Sequence, residues 1–207
     1  MLTQPHPLAL VCAGSYDGLL RDLVVAHKEH RRLALARPLG RLLALAVEVA
    51  VEVAIEVAVE VAVEVPAGRT LALVPVPSSV DSVRARGHDP LLRMTRVAAA
   101  RLRRRGIHCS VAPLLAHART VRDQAGLSSV ARVANLEGAF VAVPRRSRGR
   151  SGSEVVVVDD VVTTGASLAE AVRALRAVGV TPAAGATVAA TQRHGPRLAV
   201  ASRPPGD

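Results

Sequence analysis

Residues 155–167, VVVVDDVVTTGAS, constrain the fold more than any other part of the chain. Four consecutive valines predict a strand that is covered on both faces, as in parallel sheets between layers of helices. Two adjacent aspartates follow, and then a short turn that is expected to open a helix. Ligands of such sheets bind beyond the carboxyl ends of the strands. The segment therefore predicts an acidic pair and a turn at a ligand-binding edge.

The turn after the aspartates has the chemistry of a phosphate site. A helix N-terminus presents free N–H groups and the positive end of the helix dipole to an anion. Threonine and serine hydroxyls add donors, and glycine lets the backbone approach closely. A ribose 5-phosphate fits, with its diol on the carboxylates of Asp159 and Asp160. Its phosphate would then lie in the turn formed by Thr163, Thr164, Gly165, Ala166 and Ser167.

Other acidic or phosphate-binding motifs fit this segment less well. Phosphatases of the haloacid dehalogenase type need Asp-x-Asp, and a P-loop needs G-x-x-x-x-G-K-[ST]; the chain has neither. A phospho-acceptor domain would separate its acidic pair from the acceptor aspartate by a helix. A purely structural helix cap explains one threonine but not two carboxylates at a buried edge.

Apolar strands alternate with helical segments over the rest of the chain, which predicts an α/β fold. The expected architecture is a mainly parallel sheet flanked by helices, with an extra N-terminal helical segment. Residues 78–89 are predicted to form a polar loop. Strands are expected in residues 70–77, 110–115, 138–143, 154–160 and 183–191, and helices in residues 91–105 and 165–178.

The N-terminal third is harder to interpret. Residues 1–14 are expected to be a loose arm, followed by helical periodicity. Residues 47–65 repeat Val-Glu-Val-Ala and suit either a strand or a helix; continuation of the preceding helix is favoured, although its glutamates would then repel each other at i,i+4. The predicted organisation is a helical segment over residues 1–70, a ligand-binding domain over 71–195 and a mobile tail over 196–207.

The composition is consistent with a basic, single-domain protein that binds a phosphate-containing partner. The 207 residues, half of them hydrophobic, suggest one domain, or one domain with an appendage. A net charge of +10 suits a partner that carries phosphates. Lys28 is the only lysine, and the arginine excess is read as codon bias, so no chemistry is assigned to it. Cys12 and Cys109 lack a paired spacing, so neither zinc nor a disulfide framework is expected.

Location follows from what the sequence lacks. We find no basic segment followed by an apolar run at the N-terminus, and no stretch of about 18 uncharged apolar residues. We therefore expect no signal peptide, no membrane insertion and a cytoplasmic protein. The oligomeric state is not predicted by the sequence.

The acidic pair and the turn resemble the phosphoribosyl pyrophosphate (PRPP) signature of type I phosphoribosyltransferases. Three further segments, YDGLLRDLVVAHKEH, VPVPSSVDSVRARGHD and RTVRDQAGLSSVARVANLEGAF, are similar to blocks of the ComF (competence protein F, GntX-like) family. The resemblance spans about residues 16–190 and is interrupted by the repeat. Many members of that family begin with a four-cysteine zinc ribbon, which this sequence lacks, so zinc binding is not expected.

The resemblance implies roles for two more loops. Pro77, Ser78 and Ser79 correspond to the short loop that binds the diphosphate of PRPP, and arginines in the same loop would clamp the same group. A second, flexible loop would close over bound PRPP, and Mg²⁺ would arrive with the PRPP, with Asp159 and Asp160 as its possible protein ligands. The arginines of the first loop are Arg84 and Arg86, and the candidates in the flexible loop are Arg119, Arg122 and Gln124.

Three functions fit the resemblance. The first is phosphoribosyl transfer from PRPP to an acceptor that the sequence does not identify. The second is a non-catalytic module that acts in competence through DNA or a DNA-uptake protein. The third is a regulator that senses PRPP. An acidic pair with an intact phosphate turn favours ligand binding over a purely structural role.

Overall fold

A parallel sheet of five strands forms the centre of the molecule. The computed structural model describes residues 8–60, 70–118, 138–143 and 153–191. The strands are β1 (Ala9–Ser15), β2 (Thr70–Pro75), β3 (His108–Val111), β6 (Ser153–Val162) and β7 (Ala184–Ala190), in the order β1-β7-β6-β2-β3. Two short strands, β4 (Leu115–His117) and β5 (Phe140–Ala142), pair antiparallel as a separate ribbon.

Within the described residues, five helices and a 3-10 turn flank the sheet, which confirms the predicted α/β architecture and the N-terminal helical segment. The longest helix packs on β1 and β7, the helix that follows residue 89 packs on β2 and β3, and the last one packs on β6 and the ribbon. The helices are α1 (Gly18–Lys28), α2 (Ala36–Glu60), α3 (Val80–Arg86), α4 (Pro90–Arg104) and α5 (Ala166–Arg176), with the 3-10 turn at Leu33–Leu35.

Burial explains why the central strands read as continuous apolar runs. Val155, Val156, Val157 and Val158 of β6 are all buried, because helices or the ribbon cover the sheet on each side of this strand. β2 is equally apolar from Leu71 onwards. Alanine and valine fill a core that has few aromatic side chains, so the layers lie close together. A single cluster of buried residues includes side chains from α2, α4, α5 and the sheet.

The N-terminus differs from its predicted form. Residues 1–14 were expected to be a loose arm, yet residues 9–15 form the edge strand β1, which pairs in parallel with β7. The strand contributes Val11 to the same hydrophobic cluster as the rest of the chain. The division of the chain at residue 70 stays a prediction, and residues 1–7 and 196–207 lie outside the described residues.

Two other segments settle questions that periodicity left open. The expected polar loop at residues 78–89 contains α3, which Ser79 caps by accepting a hydrogen bond from the Ser82 N–H and which ends at Gly87 with φ of 73°. The Val/Glu repeat continues α2 as a helix as far as Glu60, so the favoured helical interpretation is confirmed for residues 47–60. The remainder of the repeat lies outside the described residues.

Among the described ranges, no helix is both long enough and apolar enough to span a membrane.

Candidate active site

The direction in which the chain adds strands to the sheet reverses between β2 and β6. From β2 the chain proceeds through α3 and α4 to β3 on one side, and from β6 it proceeds through α5 to β7 on the other. The two strands are parallel neighbours, with Pro75 beside Val158, and the Val76 N–H donates to the Val158 carbonyl over 3.0 Å. Such a switch point opens a crevice at the carboxyl ends of the strands, where α/β proteins bind ligands. The loop after β2 therefore lies beside the acidic pair.

Asp159 and Asp160 lie inside β6 rather than after it. The strand continues to Val162, and Asp159 lies opposite Thr187 of β7. The Asp160 N–H donates to Asp159 Oδ1 over 2.9 Å, and the Val161 N–H donates to Asp160 Oδ1 over 2.8 Å. These backbone donors fix the orientation of both carboxyl groups.

Lys28, at the C-terminal end of α1, reaches the acidic pair, and sequence reasoning missed it. Its Nζ donates to Asp160 Oδ2 over 2.7 Å. The Lys28 side chain is 39% exposed, whereas that of Asp160 is 11% exposed, so the cation lies at the mouth of the site. The only available signal was that Lys28 is the single lysine among many arginines, which had been attributed to codon bias.

The lysine makes the two adjacent carboxyl groups unequal. Burial would raise the pKa of Asp160, but the charge of Lys28 and its hydrogen bond outweigh this and lower the pKa below the ordinary aspartate value. For Asp159, burial and then the negative charge of Asp160 raise the pKa to about 8. The Asp160 charge in turn raises the pKa of Lys28. The two neighbouring groups are therefore unequal: Asp160 favours its charged form, and Asp159 takes up a proton more readily than an ordinary aspartate does.

The predicted phosphate turn lies directly beside Asp159. Gly165, with φ of 79°, is the N-cap of α5 and has no side chain to cap the helix, while Thr164 Oγ1 accepts from the Ala166 N–H over 3.2 Å. The first turn of α5 has no acidic residue. Asp159 and the turn line a small cavity that opens to solvent. The cavity is lined by Asp159, Val161, Val162, Thr163, Thr164, Gly165, Ala166, Ser167 and Leu168.

The ribbon of β4 and β5 contacts the loop after β2 on one side and α5 on the other. His117 Nε2 lies 3.0 Å from the Pro77 carbonyl, so its N–H donates to the loop after β2. On the other side, Glu170 of α5 accepts from the Phe140 N–H over 3.1 Å, and Arg173 donates to the Phe140 carbonyl over 3.0 Å. The ribbon therefore links the loop after β2 to the helix that carries the phosphate turn.

Comparison with known proteins agrees with this geometry. The sequence model of the phosphoribosyl transferase domain matches residues 43–201, more than half of the 207-residue chain. The chain belongs to the phosphoribosyl transferase domain family. A search of curated proteins found no match. The family assignment fits the acidic pair, the turn and the switch point, which all lie inside the matched residues.

Part of the site of this phosphoribosyl transferase domain lies outside the matched range. Lys28 and the strand β1 precede residue 43, where the match begins. The lysine that pairs with Asp160 is thus supplied by the N-terminal segment. A comparison of the matched residues alone would not find it.

The predicted diphosphate loop lies next to the acidic pair, but its side chains already have local partners. Ser78 Oγ donates to Asp89 Oδ1 over 3.2 Å, and Ser79 donates to Ser82 Oγ over 2.8 Å. Pro77 offers a carbonyl rather than a donor. A diphosphate in this position would have to replace these hydroxyl contacts or use backbone N–H groups.

The two predicted arginines differ in whether their guanidinium groups already have a partner. Arg86 donates twice to the carboxylate of Glu29, the residue that follows α1, over 2.9 and 3.1 Å, so its guanidinium already has a partner. Arg84 lies exposed on α3. Arg119, Arg122 and Gln124 lie outside the described residues, so their predicted role stays a prediction.

The raised pKa of Asp159 leads to a prediction about stability. Folding favours the protonated form of this group, so its contribution is present below the ordinary aspartate pKa and is lost as the pH rises towards about 8. We expect the free energy of unfolding, measured by urea titration in EDTA, to fall between about pH 5 and 8.

The matched variant is Asp159→Asn, which keeps the shape of the side chain but cannot ionise. Its free energy of unfolding should fall less over the same pH range, because every other ionisable group is common to both proteins. Equal slopes for the two proteins would contradict a raised pKa at Asp159.

Proposed function

We propose that the chain binds PRPP in the crevice between β2 and β6 and transfers its phosphoribosyl group to an acceptor, releasing diphosphate. The observation that carries the proposal is the pairing of β2 with β6, with Pro75 beside Val158. This pairing brings a loop that can face a diphosphate next to an acidic pair and a phosphate turn. Those are the three groups that a ribose carrying phosphates at both ends requires.

The 5′-phosphate would bind in the turn of residues 163–167. The first N–H groups of α5 and the hydroxyls of Thr163, Thr164 and Ser167 can donate to it, and Gly165 leaves room for its oxygens. The ribose would then lie over the cavity beside Asp159. Its two hydroxyls can donate to the carboxylate of Asp160 and contact the carboxyl group of Asp159.

The reaction itself needs little covalent chemistry from the protein. A lone pair of the acceptor forms the new bond to C1 of the ribose while the C1–oxygen bond to the diphosphate breaks, and the electron pair leaves with the diphosphate. Positive charge develops on the ribose ring, and the negative charge of Asp160 stabilises it. Positioning of the donor and the acceptor provides the rest of the rate enhancement.

The diphosphate would lie near residues 77–79. Arg84 is exposed on α3, and its guanidinium can bind phosphate oxygens through paired donors. Arg86 can join it only by leaving Glu29. We propose Arg84 as the principal arginine contact and Arg86 as one that requires rearrangement.

Magnesium suits the chemistry of this site. Mg²⁺ is commonly bound by one or two carboxylates together with substrate phosphates. Asp159 offers a carboxyl group on the wall of the cavity, whereas Asp160 is already engaged by Lys28. Within the described ranges, no group of three His, Cys, Asp or Glu residues could hold a metal. Bound with the diphosphate, the ion would neutralise the charge of the leaving group.

Titration calorimetry of PRPP with Mg²⁺ tests the proposal. We expect saturable binding by the wild type and a loss of at least about tenfold in affinity, about 1.4 kcal/mol, in Asp159→Asn/Asp160→Asn. Ribose 5-phosphate is the informative second ligand, because it uses the turn and the acidic pair without the diphosphate loop. Arg84→Ala should weaken binding of PRPP but leave binding of ribose 5-phosphate unchanged.

Failure would be equally clear. If the folded wild type binds neither PRPP nor ribose 5-phosphate, the phosphoribosyl site is not functional in this chain. If binding occurs and survives the double substitution, the ligand lies elsewhere. Release of diphosphate on addition of candidate acceptors then separates a transferase from a PRPP-sensing regulator.

A second candidate is a non-catalytic module in competence, as resemblance to the ComF family suggests. The observation that favours it is the row of exposed arginines on α4, which includes Arg93, Arg96 and Arg104. Binding to DNA that weakens steeply with salt would support this role. We propose membership of the ComF family, a cytoplasmic location and the domain division at residue 70 on the same sequence grounds.

A further inference from the structure

The outward face of α2 carries opposite charges at its two ends. The inward face is buried on the sheet and on α4. On the opposite face, Arg37 and Arg41 lie near the start of the helix, and Glu52 and Glu56 lie near its end; all four are exposed. At about 3.6 residues per turn these four residues fall within about 100° of arc. The face is therefore basic in its first half and acidic in its second half.

Between these charges the same face is apolar. Leu45 is 42% exposed, although it lies in the middle of a long helix. Leu42 and Val49 beside it are only partly buried. Their spacing of three and four residues is the spacing of a helix–helix seam. The face thus has an apolar centre and charged ends.

The second half of α2 extends past the core. From residue 51 to residue 59 no side chain is buried, although the helix continues to Glu60. Nine residues of helix span about 14 Å. Valine and isoleucine are modest helix formers, and glutamates four residues apart repel each other. Helices in proteins are stabilised mainly by packing, so we expect another surface to pack against this part of α2.

We propose that a second copy of this chain is that partner, with the two α2 helices antiparallel across a two-fold axis. When Arg41 faces Glu52 of the partner subunit, the same register places Arg37 opposite Glu56 of the partner subunit. The symmetry repeats both pairs, so four ion pairs surround a centre formed by Leu42, Leu45 and Val49 of both copies.

Charge complementarity selects this occupant and this orientation. A parallel pair would place arginine on arginine and glutamate on glutamate, which is unfavourable. Glu48, the remaining glutamate in the middle of this face, already accepts from Arg105 of its own chain over 2.8 Å, so it does not disturb the pattern. An unrelated partner would have to reproduce the reversed order of charges that a second copy supplies by symmetry. The low-complexity repeat thereby gains a structural role.

Charge reversal tests the proposal with the full chain. Sedimentation at low salt should show a dimer for the wild type. Arg37→Glu/Arg41→Glu makes the face wholly acidic, and Glu52→Arg/Glu56→Arg makes it wholly basic, so each variant alone should raise the dimer dissociation constant by at least about tenfold. Mixed in equal amounts, the two variants should associate again, because all four pairs are then complementary.

A matched control separates this interface from a general effect of charge. Arg96→Glu/Arg104→Glu changes the net charge as much as the acidic variant does, but on α4, and should leave the dimer intact. Circular dichroism of every variant confirms folding. A wild type that stays monomeric at sub-millimolar concentration, reversal variants that remain dimeric, or two variants that do not associate when mixed would each overturn the proposal.

Discussion

Replacing Lys28 with methionine is expected to lower the free energy of unfolding by about 2 kcal/mol at neutral pH. The Asp160 side chain is 11% exposed and would lose the Nζ group that donates to it over 2.7 Å. Removing one partner of a fully buried ion pair typically costs about 3–5 kcal/mol. The Lys28 side chain is 39% exposed, so water already screens part of the interaction and the loss should be smaller.

A double-mutant cycle measures the coupling directly. Asp160→Asn removes the charge that Lys28 compensates, so Lys28→Met should cost much less stability in that background than in the wild type. Lys28→Arg, which keeps the charge, should recover part of the loss. Equal costs in both backgrounds, measured by urea unfolding at one pH, would show that Lys28 acts through packing alone.

The pH dependence of this loss has a defined sign. Lys28 lowers the pKa of Asp160, so the stability that the pair contributes is present above the ordinary aspartate pKa and is lost as the pH falls through the lowered value. In Lys28→Met, Asp160 can relieve its burial by taking up a proton. The difference between the variant and the wild type should therefore shrink as the solution is acidified.

Local chemistry allowed the central strand and its turn to be predicted from sequence. Four buried valines, an acidic pair and a glycine-containing turn are adjacent in the chain, so their joint meaning is visible without a structure. The contact between Lys28 and Asp160 joins residues separated by 132 positions. No periodicity encodes such a contact, and only the assembled sheet with α1 beside it brings the two groups together.

The repeat shows a pattern that local periodicity alone leaves ambiguous. Alternating valine and glutamate residues suit a strand, but α2 continues through them because its buried stripe had already begun. Leu39, Leu43, Val47 and Ala50 are buried at helical spacing and continue into the repeat. The preference for a helix rested on the helical residues before the repeat, and the structure confirms it as far as Glu60.

The short elements were missed for a different reason. The apolar residues at the start of β1 were visible in the sequence but were assigned to the N-terminal arm. Only the assembled sheet shows that they pair with β7 as an edge strand. α3 has seven residues, and none of them is buried. Its Ser79 cap and its terminal Gly87 were visible in the sequence, but its arginines made the segment resemble a loop.

Replacing Gly40 with alanine is expected to lower the free energy of unfolding by about 2–3 kcal/mol, because α2 and α4 cross at this residue. A Cβ atom on Gly40 would lie 2.6 Å from Val97 Cβ and 2.7 Å from the Met94 carbonyl oxygen. In an ordinary helix interior the same substitution would gain about 1 kcal/mol. Here overpacking outweighs that gain, since a backbone carbonyl cannot rotate away and the helices must separate.

Urea unfolding of Gly40→Ala beside Arg96→Ala, an exposed position on α4 next to the crossing, measures the effect. The arginine variant should stay within about 0.5 kcal/mol of the wild type. Val97→Ala in the Gly40→Ala background removes the Cγ1 atom at 2.8 Å but leaves Val97 Cβ and the Met94 oxygen in place, so it should restore little of the loss. If Gly40→Ala is as stable as the wild type, α2 and α4 must lie farther apart at this residue than the 2.6 Å distance between the added Cβ and Val97 Cβ indicates.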